Sequence, residues 1–363
     1  MQAHQIMNGL HQIVGAAEAS EVTITTLPGG ASLRTYHRIQ WKDSSWVVMV
    51  LAEEPIRSEE ATSGPEPNGI PCVEIGRFLE AGGVDVPHIH HVDHEEGHIW
   101  LDDLGDTHLL RWLELGGDQD SGYRAAIDTL VAFQRATAEK QREQQESSPI
   151  CYARRFESAL LRWELDHWVE WRVQEQLLTA PSTHDLQILD SAFNGLVSLI
   201  VAQPNRLVHR DFQSTNLMVT GQRPQLALID FQDALLGPWT YDLVALLRDS
   251  YVDLSQDTVD MLIHQYVDKM RHTGLYESEP AGESLRLRFT REFHRQVMQR
   301  KLKDACRFVY IDRVKNNPWY LQYVDRTMRF VRRSLEWLEE DGETPHIDEL
   351  AHVLRRLDPA SFS

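Results

Sequence analysis

The sequence predicts a mixed α+β chain in two unequal lobes, a small sheet-bearing unit followed by a larger, mainly helical one. Three observations carry that expectation. Short runs between residues 21 and 52 have the alternating, β-branched character of strands, apolar residues recur at helical intervals from 106 onward, and two apolar runs flanking a turn interrupt the helical part at 217–229. With 363 residues, length alone suggests about two domains. The expected division is 1–100 for the first lobe, 101–105 for a connection and 106–363 for the second.

Taken in order, residues 1–18 read as a short helix and EVTITTL (21–27) as a strand. PGGASLRTYHRIQW (28–41) reads as strand, tight turn at Gly29 and Gly30, and strand. The backbone amides of that turn and Ser32 suit phosphate oxygens, although a plain hairpin accounts for the same residues. SSWVVMVLA (44–52) is the third strand, and EEPIRSEEATSGPEPNG (53–69) is an acidic, Pro- and Gly-rich loop. In PCVEIGRFLEAGG (71–83), Val73, Ile75, Phe78 and Leu79 share one side of a helix that Gly82 and Gly83 end. HIHHVDHEEGHIWLDDLGD (88–106) is a hairpin leading into the connection. Strand alternation sends its neighbouring histidines to opposite faces, which argues against a metal cluster.

Further on, YRAAIDTLVAFQRATAE (123–139) is helical and QREQQESSP (141–149) is a polar connector. Residues 151–178 read as one aromatic-rich helix with Phe156, Leu160, Trp163 and Trp168 toward the core. After a turn at Gly237 and Pro238, a helix is expected over Tyr241 to Val252. The stretch 255–360 is helical and charged, with a basic run RQVMQRKLKDACRFVY (295–310) and a last amphipathic helix near 320–340.

Composition narrows the function. A net charge of −19, from 36 basic and 55 acidic residues, argues against nucleic-acid and anionic-membrane partners, whose binding rests on basic side chains. The three cysteines, Cys72, Cys151 and Cys306, are scattered and form no CxxC pair, so neither a disulfide framework nor a zinc site is suggested. No basic segment followed by an apolar one opens the chain, and no apolar run is long enough to span a bilayer, so a cytoplasmic protein is expected. No protein partner is evident.

The chemistry concentrates in LVHRDFQSTNLMVTGQRPQLALIDFQD (207–233). Asp211 follows His209 and Arg210, four residues separate it from Asn216, and Asp230 ends the run QLALID. This is the order HRDxxxxN followed by a strand-ending Asp. Phosphoryl transfer needs a carboxylate beside the attacking hydroxyl and oxygen ligands for Mg²⁺. Asp211 suits the first task, while Asn216 and Asp230 offer the hard oxygen donors that Mg²⁺ prefers. The runs LMV and QLALI around TGQRP form a hairpin that brings both ligands to one place.

Residues 207–252 resemble the aminoglycoside phosphotransferase and choline kinase superfamily, whose signature joins HxDxxxxN to IDF and then to a YDL segment. IDFQD (229–233) and GPWTYDLVALLRDSYV (237–252) look most like the bacterial cell-wall sugar kinases that phosphorylate the anomeric hydroxyl of N-acetylmuramate and N-acetylglucosamine. The likeness extends loosely from GGASLRTYHR to LKDACRFVY (302–310). It implies a protein-kinase-like fold, an ATP- and Mg²⁺-dependent kinase and a small-molecule sugar acceptor. It also implies that Asp211 activates the acceptor, that His209 and Arg210 shape the loop and that Asp242 braces it. The backbone around Leu101, Asp102, Asp103 and Leu104 would meet adenine. Glu164 and Trp171 are candidate acceptor contacts, as are Arg248 and Asp249.

One departure stands out. A kinase places its phosphate-pairing lysine on the third strand, and this sequence has Met49 there, as the anomeric sugar kinases are similar in having. Arg34 and Arg38 are candidates to supply the missing charge, with Glu74 as a partner for an arginine from the phosphate loop. Two other readings remain: a kinase of another amino-sugar, aminoglycoside or amino-alcohol acceptor, and a non-catalytic nucleotide-binding protein.

Overall fold

The structure is a computed structural model, and it describes residues 3–15, 21–28, 34–52, 69–143, 149–221, 224–275 and 284–362. Gly29, Gly30 and Ser32 lie outside the described residues, as does nearly all of the acidic 53–69 stretch.

Helix α1 (Ala3–Val14) precedes β1 (Val22–Thr26), β2 (Thr35–Trp41) and β3 (Ser44–Val50); α2 (Pro71–Ala81) then leads to β4 (Ile89–Asp93) and β5 (His98–Asp102). The five strands make one antiparallel sheet in the order β1-β2-β3-β5-β4. Because side chains alternate across a strand, β3 feeds two different cores. Trp46 and Val48 pack with Ile6, Leu10, Ile39 and Trp100 beneath α1, while Met49 packs with Val73, Ile89 and Ile99 beneath α2. The first packing depends on Gly9: a Cβ there would lie 2.4 Å from the Trp100 indole.

The remainder is mainly helical. Helices α3 (Leu109–Glu114) and α4 (Gln119–Glu143) lead through a 3-10 turn (Ile150–Tyr152) to α5 (Ser158–His167), a π-helical stretch (Trp168–Gln176) and α6 (Thr183–Val201). Strands β6 (Asn205–Val208) and β9 (Leu235–Pro238) form one pair and β7 (Leu217–Thr220) and β8 (Gln225–Leu228) the expected hairpin. Helices α7 (Tyr241–Leu247), α8 (Gln256–His272), α9 (Leu285–Lys315), α10 (Val324–Asp341), α11 (Ile347–Leu357) and α12 (Pro359–Phe362) complete the chain.

Three expectations are corrected. The single helix over 151–178 is a 3-10 turn, an α-helix from Ser158 and a π-helical continuation, a change of winding that the apolar spacing does not encode. The helix expected over 241–252 stops at Leu247, because Asp249 turns back to bind the loop after β6. Helix α10 is followed by α11 and α12, which close over α6 and α10, so it is not the last.

Buried residues form two large clusters in the helical part, and α9 belongs to both. Its Leu285, Phe289, Phe293 and Val297 join the cluster around α4, α7 and α8, while Met298, Leu302, Ala305, Phe308 and Val309 join the one around α5, α6, α10 and α11. Asn316, at φ 53°, ends this helix in the left-handed conformation that Asn tolerates better than most side chains. The connection between α2 and β4 docks on the β7–β8 hairpin through Leu228 N–H to Asp85 O (2.8 Å), and the segment after β5 reaches β7 through Val219 N–H to Thr107 O (2.8 Å). Above the hairpin, α2 rests on Phe231 at Gly76, where a Cβ would come within 3.1 Å of the ring.

Candidate active site

The loop between β6 and β7 is held at both ends by carboxylates. Asp242, fully buried in the first turn of α7, accepts from the backbone N–H groups of His209 (2.7 Å) and Arg210 (3.1 Å). Burial pushes its carboxyl up to about 6, against the opposing pull of His209, the two amides and Arg300. Two turns later in sequence, Asp249 accepts from Ser214 N–H (2.9 Å), Ser214 Oγ–H (2.5 Å) and Tyr251 N–H (3.0 Å). The segment 209–214 is therefore clamped at each end by a buried side chain. Within it, His209 Nε2 pairs with Ile229 O (3.0 Å), tying the loop to the residue before Asp230.

Backbone strain marks the two positions of interest. Arg210 (φ 76°) and Asp230 (φ 64°) are non-glycine residues in the left-handed region, which costs on the order of 1–3 kcal/mol each unless the surroundings enforce it. The enforcement at Arg210 is visible: Asp242 holds its N–H and Arg300 Nη1 donates to its carbonyl (2.8 Å).

Asp211 has about half of its side chain exposed (49 %). Burial of its surroundings would raise its carboxyl, but Arg300, Lys303, Arg210 and His209 together hold it below the usual carboxylate range. Arg300 comes from the middle of α9. It is 1 % exposed, lies 4.6 Å from the centre of the Tyr241 ring, and places Nη2 3.3 Å from Asp211 Oδ1. One residue on, Lys301 is also fully buried and is neutralised by Asp304 at 2.6 Å. The sequence displayed this basic run but gave no sign that it points at Asp211. A pairing across 89 residues leaves no trace in local periodicity.

Asn216 donates its Nδ2–H to Asp211 O (2.8 Å), and Ile229 N–H donates to Asn216 O (3.1 Å). That orientation leaves Asn216 Oδ1 available. Asp230, with 42 % of its side chain exposed, meets Arg34 Nη1 at 3.4 Å and Gln232 Nε2 at 2.7 Å. One neutral amide oxygen and one carboxylate fit a hard divalent cation that draws its remaining ligands from phosphate and water. Among the described residues no group of three or more His, Cys, Asp or Glu side chains could hold a metal, the histidines of 88–98 included.

The cation candidates separate cleanly. Arg34 lies at Asp230, with Asp233 4.0 Å away. Arg38 is tied to Asp103 (2.7 and 2.9 Å) and Asp106 (2.8 and 3.1 Å), and those hydrogen bonds, Asp106 first, raise its pKa. It braces the connection instead of facing the cleft. Met49 stands 4 % exposed in an apolar cluster, so no cation occupies the usual lysine position. The Glu74 carboxylate accepts from Ile150 N–H (3.1 Å) and joins α2 to the helical part, which is the correction to its expected pairing with an arginine.

In the connection, Leu101 sits inside β5 between Val47 of β3 and Ile89 of β4, and Asp102 N–H donates to His88 O (3.0 Å). Asp103 turns its carboxylate to Arg38, Ser45 (2.5 Å) and Gly105 N–H (3.0 Å). Backbone not claimed by the sheet begins only at Asp103 and Leu104.

Of the four acceptor candidates, the structure brings two together. Glu164 and Trp171 line one pocket with Trp163, Lys303, Arg307 and Tyr310. Glu164 Oε2 accepts from Gln299 Nε2 (2.5 Å), and the Trp171 ring meets Tyr310 edge-on at 5.1 Å. The other two lie elsewhere. Arg248 is fully buried, stacked 5.4 Å from the Phe330 ring and bonded to Gln256 (2.6 Å), and burial pushes its pKa down to about 10. Asp249 is committed to Ser214 and Tyr251. Neither lines the pocket that holds Glu164 and Trp171.

Comparison with known proteins agrees with this geometry. The phosphotransferase enzyme family matches residues 23–277. Over 355 residues the chain is 29 % identical to an N-acetylmuramate/N-acetylglucosamine kinase of Pseudomonas putida, covering 97 % of this chain and 93 % of that one. It is 30 % identical over 314 residues to a protein of the same name from Neisseria meningitidis, covering 85 % of each. Among solved structures it is similar to the GDP complex of aminoglycoside 2'-phosphotransferase-IIIa (TM-score 0.56, 14 % identity, 94 % of this chain and 98 % of that one). It is also similar to choline kinase LicA from Streptococcus pneumoniae (TM-score 0.54, 14 % identity, 93 % and 98 %). The fold is protein-kinase-like, and the chain belongs to the phosphotransferase enzyme family.

Proposed function

We propose that this phosphotransferase is an ATP- and Mg²⁺-dependent amino-sugar kinase, and that it phosphorylates the anomeric hydroxyl of an N-acetylated amino sugar such as N-acetylmuramate or N-acetylglucosamine. The observation that carries the reading is Asp211. It is a half-exposed carboxylate kept ionised by surrounding cations, on a clamped loop whose Asn216 adjoins the residue before Asp230. The names of the relatives support the sugar class.

In this mechanism Asp211 accepts a hydrogen bond from the acceptor hydroxyl, orients it toward the γ-phosphorus and takes its proton as the new O–P bond forms and the bond from the γ-phosphorus to the β,γ-bridging oxygen breaks, releasing ADP. An anomeric hydroxyl is more acidic than an ordinary alcohol, so a carboxylate with a lowered pKa suffices. Asn216 Oδ1 and the Asp230 carboxylate would hold Mg²⁺, which when bound neutralises charge on the phosphates. Arg34 supplies a cation from the small lobe in place of the absent lysine. We assign nucleotide binding to residues 1–100, with the turn at Gly29, Gly30 and Ser32 on the phosphates. Adenine lies against the connection 101–105, at the free backbone of Asp103 and Leu104, and the acceptor binds to 106–363.

The test is product analysis. Incubation with Mg-ATP and N-acetylmuramate or N-acetylglucosamine should give a sugar 1-phosphate, identified by phosphorus NMR through coupling to the C1 proton. The methyl glycosides should be inert. Phosphate on C6, or turnover of choline or an aminoglycoside with neither amino sugar consumed, overturns the reading in favour of another acceptor class. Absence of any nucleotide turnover favours a non-catalytic nucleotide-binding protein.

A further inference from the structure

We propose that the pocket between α5, its π-helical continuation and α9 selects for an acidic side arm on the acceptor sugar, with Arg307 as the specificity-determining cation and Lys303 as its neighbour. This rests on the amino-sugar reading above and deepens it.

The argument starts from helical geometry. At 3.6 residues per turn, positions 300, 303, 307 and 310 fall within about 80° of one another around α9, and Arg307 stands about 10 Å along the axis from Arg300. Arg300 touches Asp211 at 3.3 Å, so this face begins at the proposed reacting centre. It continues through Lys303, whose charge reaches Asp211, to Arg307 and Tyr310 in the pocket. Along α9, residues 303, 307 and 310 are only partly buried, whereas 301, 302, 304, 305 and 306 between them are buried. The row therefore opens onto the pocket and nowhere deeper.

The opposite wall supplies what a pyranose needs. Trp163 and Trp171 offer apolar ring faces, and the Trp171 indole N–H has no hydrogen-bond acceptor among the described residues. An enclosed N–H donor without an acceptor is costly, and an acetamido carbonyl or a ring hydroxyl of a bound sugar would satisfy it. Glu164 is the one carboxylate in the lining, and one of its oxygens is already taken by Gln299 at 2.5 Å. Lys303 has Asp304 at 3.8 Å, outside the lining, and a lining with two cations and one carboxylate suits an anionic arm better than a polycationic aminoglycoside. Arg307 lies 4.8 Å from the centre of the Tyr310 ring, and a planar guanidinium is the cation that can grip a carboxylate with two donors. The carboxylate of a 3-O-lactyl group is an arm of this chemistry.

The experiment compares kcat/KM for N-acetylmuramate, for its carboxyl methyl ester and for N-acetylglucosamine, with Mg-ATP saturating. Wild type should prefer the free acid over the ester. Arg307→Met should lower the ratio of acid to N-acetylglucosamine by about ten-fold or more, through KM. Arg307→Glu should lower it further, and Arg307→Lys should recover part of it. A merely structural arginine would depress both sugars equally and leave the ratio unchanged. An unchanged ratio in folded Arg307→Met and Arg307→Glu, checked by circular dichroism, overturns the pocket assignment while leaving the kinase reading intact. Failure of wild type to use either amino sugar overturns both.

Discussion

Asp230 and Asp211 each meet one arginine at nearly the same distance, 3.4 Å from Arg34 and 3.3 Å from Arg300, yet the two pairs are built for opposite purposes. Arg34 precedes β2 on the small lobe, both partners are partly exposed (23 % and 42 %), and Asp233 lies 4.0 Å from the same guanidinium. Arg300 is 1 % exposed, stacked on Tyr241, bonded to the Arg210 carbonyl and embedded in the longest helix. An exposed pair contributes little and exchanges readily, whereas a buried cation is costly to leave unmatched. The comparison teaches that distance alone does not rank a contact. In the proposed mechanism Arg34 would give up Asp230 to phosphate and metal, while Arg300 stays beside Asp211.

The sharpest way to break the comparison is to remove the carboxylates. Asp230→Ala should abolish turnover together with Mg-nucleotide binding in calorimetry. Asp211→Asn should keep that binding and lower kcat by roughly 10²–10⁴-fold. Equal loss of binding in both variants would mean that the two sites are not separate in function.

Arg300→Met comes next. Breaking one side of a buried ionic network costs about 3–5 kcal/mol, so urea unfolding should shift strongly, and the folded fraction should show an altered pH profile. Arg300 favours the ionised form of Asp211; removing it raises that pKa, so the acid limb of kcat/KM should move to higher pH. In wild type the depressed Asp211 carboxyl adds stability above the ordinary carboxylate range, and this is lost as pH falls through its folded value. An unmoved acid limb would show that Arg300 only packs.

Arg34→Ala should raise the KM for ATP or lower kcat by about ten-fold, with a change in unfolding free energy below about 1 kcal/mol. Arg38→Ala should do the reverse, destabilising the protein by about 1–3 kcal/mol through Asp103 and Asp106 with a smaller kinetic effect. If Arg34→Ala keeps wild-type kinetics, the small lobe works without a cation from the residue before β2. The smallest effect expected is from Gly76→Ala. Its Cβ would press on Phe231 at 3.1 Å, costing about 1 kcal/mol and raising the KM for ATP a few-fold if α2 positions Asp230 through that ring.

Much of this was legible in the sequence because it is local. The HRDxxxxN spacing, the hairpin after it, the strands around 22–50 and the helix at 71–81 all follow from short-range patterns. What escaped is held by pairs far apart in the chain. Arg300 to Asp211, Arg38 to Asp103 and Gln299 to Glu164 span 89, 65 and 135 residues, and no window of sequence contains both members. Asp249 is a related case. The local pattern puts it inside a helix running to Val252, and only the assembled loop reveals that its carboxylate accepts from Ser214. The strained conformations of Arg210 and Asp230 were hidden too, since neither residue type announces a left-handed backbone.

The position of α9 in both large cores has a consequence for how the protein comes into being. Ribosomes deliver the chain from its N-terminus, so the motif ending at Asp230 emerges seventy residues before Arg300 (230 to 300). Until α9 docks, the Arg210 carbonyl lacks its donor and the α5–α6 and α4–α8 groups of helices lack the element that packs against both. A nascent chain cut short before residue 285 would carry every motif by which the enzyme is recognised and none of the helix that completes its cores. The cores are therefore completed late in synthesis, after the HRDxxxxN motif has already emerged.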